Sequence, residues 1–430
     1  MNRALPALLA CASLLSAQAR KSSLPASPSA SNLISVKATG SKRYVPADVI
    51  AATGLQIGQT VSEDDLQRIS RRLGESGAFT DVAYTFQSSP LGIKLELRVT
   101  DSGPFVPAHF DNFVWLSDQE LAEKLRARVP LFRGELPASG DLPDQVSEAL
   151  QALAFEYKLT GRADYLRAGP QDGPLESFDF IITGQNIRVG NTAFTGASPS
   201  ELPLLELAAR KLPVDYSRSN LHLQAEKLLL PVYLERGHLL ATVGDPQPKV
   251  VQDGSGETVV DVTFPISPGR QYKLSKIELS GYNVFPVETL RALIHLQLDQ
   301  PANAIQAEKD VEAIKKLYGA RGYMTVQIQP RSALNDIDST VNYRFDFREG
   351  GIYKMGDLEI RGLDSRATHR LAGAWKLQTG DTYDSSYLNR FLNTLNDLLP
   401  GDQWNITSHE SLEDKDRVVD VSLHFDLKPR

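Results

Sequence analysis

Seven histidines are spread along the chain: His109, His222, His238, His295, His369, His409 and His424. Imidazole could act as a metal ligand or a proton carrier. Either role needs partners at short, defined spacing, and no H-E-x-x-H or comparable pattern occurs. A serine nucleophile on a G-x-S-x-G elbow is absent as well. "DGSGE" (Asp253–Glu257) has the composition of a phosphate or cation loop, but it lies between two strand patterns, where a hairpin turn is expected. Glu63, Asp64 and Asp65 form an acidic group at the start of a helical pattern, where they complement the helix dipole. The "NIT" at Asn405 matches a glycosylation acceptor. The only cysteine is Cys11. The reading is therefore no enzyme, with no catalytic residue, no metal and no cofactor.

The remaining chemistry is that of the backbone itself. Period-two alternation marks half-buried strands. It is clear over Met324, Val326 and Ile328, and again over Val341, Tyr343, Phe345 and Phe347. An edge strand exposes unpaired N–H and C=O groups, which can bind an extended partner. The candidate edges are Val82–Gln87, Leu239–Gly244 and Tyr323–Gln329. The candidate partner-binding residues on them are Val82, Tyr84, Phe86, Leu239, Ala241, Thr325, Val326 and Gln327.

The elements that would carry these edges recur. "IRVGNTAFTG", "YKLSKIELSG" and "YKMGDLEIRG" each close a strand with glycine, at Gly196, Gly281 and Gly362, with spacings of 85 and 81 residues. "ISVKATG" ends at Gly40, 156 residues before Gly196, which is two spacings of 78 and predicts a further unit between them. Each glycine is expected at a turn needing positive φ. In the fourth unit a helix is predicted over Val287–Leu298, and Ala307, Val311, Ile314 and Tyr318 stripe a second one. The order is strand, helix, helix, strand, strand. Ser62 followed by Asp65, and Ser117 followed by Glu120, are helix-start signals in the first and second units. Pro231 is expected to kink or end the third unit's second helix.

The predicted fold is thus α+β: five tandem β-α-α-β-β units, each a three-stranded sheet with two helices, arranged as an extended rod. The units are expected at 31–102, 103–184 (degenerate), 185–269, 270–350 and 351–430.

Ahead of them, residues 1–19 read as a signal peptide, with Arg3, an apolar stretch and Ala17-Gln18-Ala19. Residues 20–30 read as a flexible Ser/Pro-rich leader. "LLAC" ending at Cys11 is a weak lipoprotein-like match. Removing residues 1–19 takes away Arg3, moves the formal charge from -7 to -8, and leaves no thiol. No Lys/Arg cluster marks a nucleic-acid surface.

The joins "TDSGP", "ISPGR" and "FREGG", together with "GAFTDVAY", "GHLLATV" and "GYMTVQI", resemble the POTRA domains of BamA/TamA-like outer-membrane assembly factors. The resemblance covers essentially the whole mature chain. It implies a periplasmic location, peripheral to the outer membrane. It also implies partners among unfolded outer-membrane proteins or an envelope assembly protein, bound by strand addition. No residues remain for the family's β-barrel, so no transmembrane barrel is expected. The alternatives are a docking arm for one folded envelope partner, or a truncated insertase lacking its barrel.

Overall fold

A computed structural model describes residues 31–254, 256–399 and 404–428. The expected signal peptide (1–19), leader (20–30) and Cys11 lie outside the described residues. The chain divides into two compact bodies, one up to Gln185 and one from Asn186.

The first body holds two sheets. The first module runs β1 (Ser31–Thr39), α1 (Pro46–Thr53), β2 (Thr60–Val61), α2 (Glu63–Glu75), β3 (Phe79–Ser89) and β4 (Gly92–Asp101). Its sheet order is β2-β1-β4-β3. The second runs β5 (Phe105–Phe110), α3 (Asp118–Arg128), β6 (Glu135–Pro137), α4 (Leu142–Glu156), β7 (Ala163–Ala168) and β8 (Ser177–Ile182), in the order β6-β5-β8-β7. Both predicted helix starts are capping boxes: Ser62 with Asp65, and Ser117 with Glu120.

The second body holds three sheets. The third module comprises β9 (Ile187–Thr195), α5 (Leu202–Ala209), α6 (Arg218–Leu234), β10 (Thr242–Val243), β11 (Gln247–Gly254) and β12 (Glu257–Ser267). Here β12 pairs with β9 on one side and with β10 and β11 on the other. The fourth comprises β13 (Lys273–Ser280), α7 (Val287–Arg291), α8 (Ala304–Gly319), β14 (Gln327–Asn335) and β15 (Thr340–Arg348), ordered β13-β15-β14. The fifth comprises β16 (Lys354–Arg361), α9 (Ser365–Ala374), α10 (Tyr387–Asn393), α11 (Leu395–Leu398), β17 (Trp404–Glu413) and β18 (Val418–Leu427), ordered β16-β18-β17. In every module the last strand is central. It is parallel to the first strand and antiparallel to the one before it.

The repeat glycines explain the period. Gly40, Gly196, Gly281 and Gly362 have φ of +100°, +81°, +80° and +88°. A Cβ on them would sit 2.0–2.5 Å from the carbonyl oxygen of Val99, Ile266, Phe347 or Phe425. Only glycine combines that φ with that approach to the central strand. The second module lacks the glycine and uses Asn112 instead. Its buried amide donates to the Ile182 carbonyl and accepts from the Ile182 N–H, both at 2.8 Å.

One helix expectation is corrected, and of the two outcomes expected at Pro231, the ending of the helix there does not occur. The helix expected over Val287–Leu298 ends at Arg291. Leu293 and Ile294 turn out of it with i→i−3 bonds, and Asp310 captures the His295 N–H at 2.9 Å. Helix α6 continues past Pro231 to Leu234, since a proline in the last turn removes only one ladder bond.

Candidate functional site: the open sheet edges

The two edges of each sheet differ. Beside the first strand, the loop between the helices folds back as a partial cover. Leu33, Val189, Leu274 and Met355 donate their N–H to Gln59, Val214, Gln300 and Asp381 at 2.8–2.9 Å. The other edge, formed by β3, β7, β11, β14 or β17, has no further strand beyond it among the described residues. The five differ in length and in proline. Strand β7 has six residues. Strand β11 contains Pro248 and follows a break at Gly244–Pro246, and β14 contains Pro330. Strands β3 and β17, of 11 and 10 residues, contain none.

Hairpin geometry fixes which backbone groups face outward. A two-residue loop joins Ser89 to Gly92, which makes that flanking pair hydrogen-bonded. Alternation along the antiparallel ladder then aims the N–H and C=O of Val82, Tyr84, Phe86 and Ser88 outward, while Ala83, Thr85 and Gln87 bond to β4. The hydroxyl of Ser70 on α2 donates to the Val82 carbonyl at 2.9 Å, consistent with that carbonyl pointing away from β4. On β14, Pro330 stands in register opposite Phe345 and has no N–H to give the ladder, which places it at an outward position. Proline there leaves the ladder intact and removes a donor from the free edge.

The sequence-derived site residues fall into three groups. Val82, Tyr84 and Phe86 lie on β3, half-buried against the module core, with outward main-chain groups. Gln327 begins β14. Thr325 and Val326 precede that strand, in a turn and a connecting residue, and are corrected accordingly. Leu239 and Ala241 are corrected too, since both lie in the turn before β10. Leu239 packs against the fourth module's core and Met324 against the fifth's. Their apolar character reflects burial by the next module, not membership of an edge. The reading of the sequence also missed β17 as an edge. Its inner positions Ser408 and Glu410 are polar, so the alternation signal is weak.

The charged groups serve to hold loops. Glu349, at the end of β15, accepts the N–H of Asn283 at 2.7 Å, the N–H of Val284 at 2.9 Å and the hydroxyl of Tyr318 at 2.6 Å. Burial works against its charged form, but these hydrogen bonds outweigh it and hold its pKa below the ordinary value. Burial also raises the Tyr318 pKa, with Glu349 adding to it. In the first module, Asp101 accepts from Ser41 Oγ, Lys42 N and Arg43 N in the same way. Among the described residues, no group of three or more His, Cys, Asp or Glu could hold a metal ion. No helix there is long and apolar enough to cross a membrane.

Fold and edges define a class: small α+β modules in series, each with a central last strand and an open second strand. Residues 272–350, which span the fourth sheet, match the POTRA family model, described as a surface antigen variable number repeat. A Treponema pallidum (strain Nichols) protein, provisionally named an outer membrane protein assembly factor, is 23% identical over 211 residues. Those residues are 49% of this chain and 25% of that relative, so the match spans about a quarter of the relative's length. Among solved structures, Haemophilus influenzae BamA POTRA3-5 aligns with a TM-score of 0.46 at 17% identity, over 56% of this chain and 97% of that one. POTRA1-3 of the Anabaena Omp85 periplasmic domain aligns with a TM-score of 0.26 at 13% identity, over 57% of this chain and 98% of that one.

Proposed function

We propose that this chain is an exported envelope protein with tandem POTRA modules at 31–102, 103–184, 185–269, 270–350 and 351–430. It receives partner polypeptides in outer-membrane protein assembly by pairing their extended segments with an open sheet edge. The observation that carries the reading is the contrast among edges: β3 is long and proline-free, whereas β11 and β14 carry Pro248 and Pro330. Main-chain pairing is nearly independent of side chains, which suits a receiver of many unfolded clients. Val82, Tyr84 and Phe86 are the proposed contact residues, acting through their outward N–H groups and, at Tyr84 and Phe86, their outward carbonyls. The relative's name, which refers to outer membrane protein assembly, is consistent with the process. A second reading, docking to a folded envelope partner, is favoured for the third and fourth modules, because their prolines blunt strand addition.

The test is a proline series on the full chain, with an alternating Val/Thr decapeptide as probe and fluorescence anisotropy as readout. Phe86→Pro removes an outward donor and should weaken binding about tenfold while the module stays folded. Phe86→Ala should bind within about threefold of the parent, since the contact is main-chain. Thr85→Pro should disrupt the sheet itself. If folded Phe86→Pro binds as the parent does, β3 is passive and the docking reading replaces strand addition.

A further inference from the structure

The modules of the second body meet through a repeated joint. In "ERGHL" and "ARGYM", Gly237 and Gly322 have φ of +80° and +83°. Their carbonyls accept the N–H of Tyr272 and Tyr353, the residues just before the next module's first strand, both at 2.8 Å. A Cβ on Gly237 would sit 2.5 Å from the Tyr272 carbonyl oxygen and 2.9 Å from the Ala302 nitrogen. One on Gly322 would sit 2.9 Å from both Thr382 Cγ2 and the Tyr353 oxygen. Two residues after each glycine stands the apolar side chain that leaves its own module: Leu239 against the core around Tyr272 and Leu274, Met324 against the core around Tyr353 and Met355.

From this repeat we infer that Leu239 and Met324 are positioning residues, plugs that lock each module to the next. The glycine brings the two backbones into hydrogen-bonding contact, and the plug behind it excludes water from the joint. Modules in a chain move relative to one another unless their interface is apolar and close. Here Leu239 and Met324 supply apolar contact at the two joints. Met324 lies just upstream of β14, so at the second joint the lock also fixes the direction in which the open strand leaves it. The inference rests on packing alone and stands whether or not the edges receive clients.

Distances between paired spin labels test it, on the full chain with Cys11→Ser. One label pair is Gln252→Cys with Ile337→Cys, across the first joint. The other is Ile337→Cys with Lys415→Cys, across the second. Both pairs should give narrow distributions in the parent. Leu239→Ala should widen the first by roughly twofold or more and leave the second unchanged, and Met324→Ala should do the converse. Leu239→Met and Met324→Leu, which keep the volume, should stay narrow. Hydrogen exchange on β15 and β18 should show both modules still folded in the alanine variants. Unchanged widths, or loss of protection throughout the next module, would overturn the inference. In the second case the side chain would be an ordinary part of that module's core.

Discussion

Phe345 and Arg344 are neighbours on β15 with opposite surroundings. Phe345 is fully buried, while Arg344 faces solvent and pairs with Asp346 at 2.6 Å. Phe345→Ala should lower local stability by about 3–5 kcal/mol. Arg344→Ala should cost under ~0.5 kcal/mol, as exposed ion pairs do. Amide exchange along β15 is the measurement, since one unfolding midpoint is ill-defined for a chain of modules. Glu349 adds a pH dependence. Its folded-state pKa is depressed below the ordinary 4.5, so it contributes stability above that value and loses it as pH falls through the depressed one. Protection of the fourth module should therefore fall on acidification below about pH 4.5. Glu349→Gln should be less protected at neutral pH and flatter in its acid response. An unchanged acid profile in the variant would remove Glu349 from this role.

At the scale of elements, Pro330 gives the sharpest contrast. Pro330→Thr restores an outward N–H to β14 without touching its bonds to β15. The variant should gain binding of the alternating decapeptide, or self-associate, with little change in stability. A variant that stays monomeric and gains no binding would show that something other than proline closes this edge. Much of this architecture was legible in the sequence. The alternation of Val341, Tyr343, Phe345 and Phe347 fixed the central strand's register, and the Gly40–Gly196–Gly281–Gly362 spacing tracked the turn that requires glycine. The second strands were harder to place. Alternation reports which side chains are buried, not which backbones are paired. Met324 and Leu239 are apolar because the next module covers them, and this drew the expected strands towards the joint. A signal in the central strands was available but unused: "VVDV" occurs at 259–262 and 418–421, with "TVNY" at 340–343. Its Asp261 and Asp420 accept the N–H of Asn191 and Asp357, at 2.8 and 2.7 Å, where the first strand bulges.

For the whole molecule, the two bodies divide the candidate edges between them. The first holds β3. The second holds β17 together with the proline-bearing β11 and β14. A formal charge of -7 gives no pull towards nucleic acid. Residue-resolved amide exchange along β3, with and without saturating decapeptide, shows whether a client strand adds at this edge. Thr85 and Gln87 already bond to β4 and should be protected in both states. The N–H groups of Tyr84, Phe86 and Ser88 point outward and should exchange freely alone and slow markedly with peptide, giving a period-two pattern of new protection. New protection without that alternation, or none at β3 when the peptide is bound, would contradict strand addition at this edge.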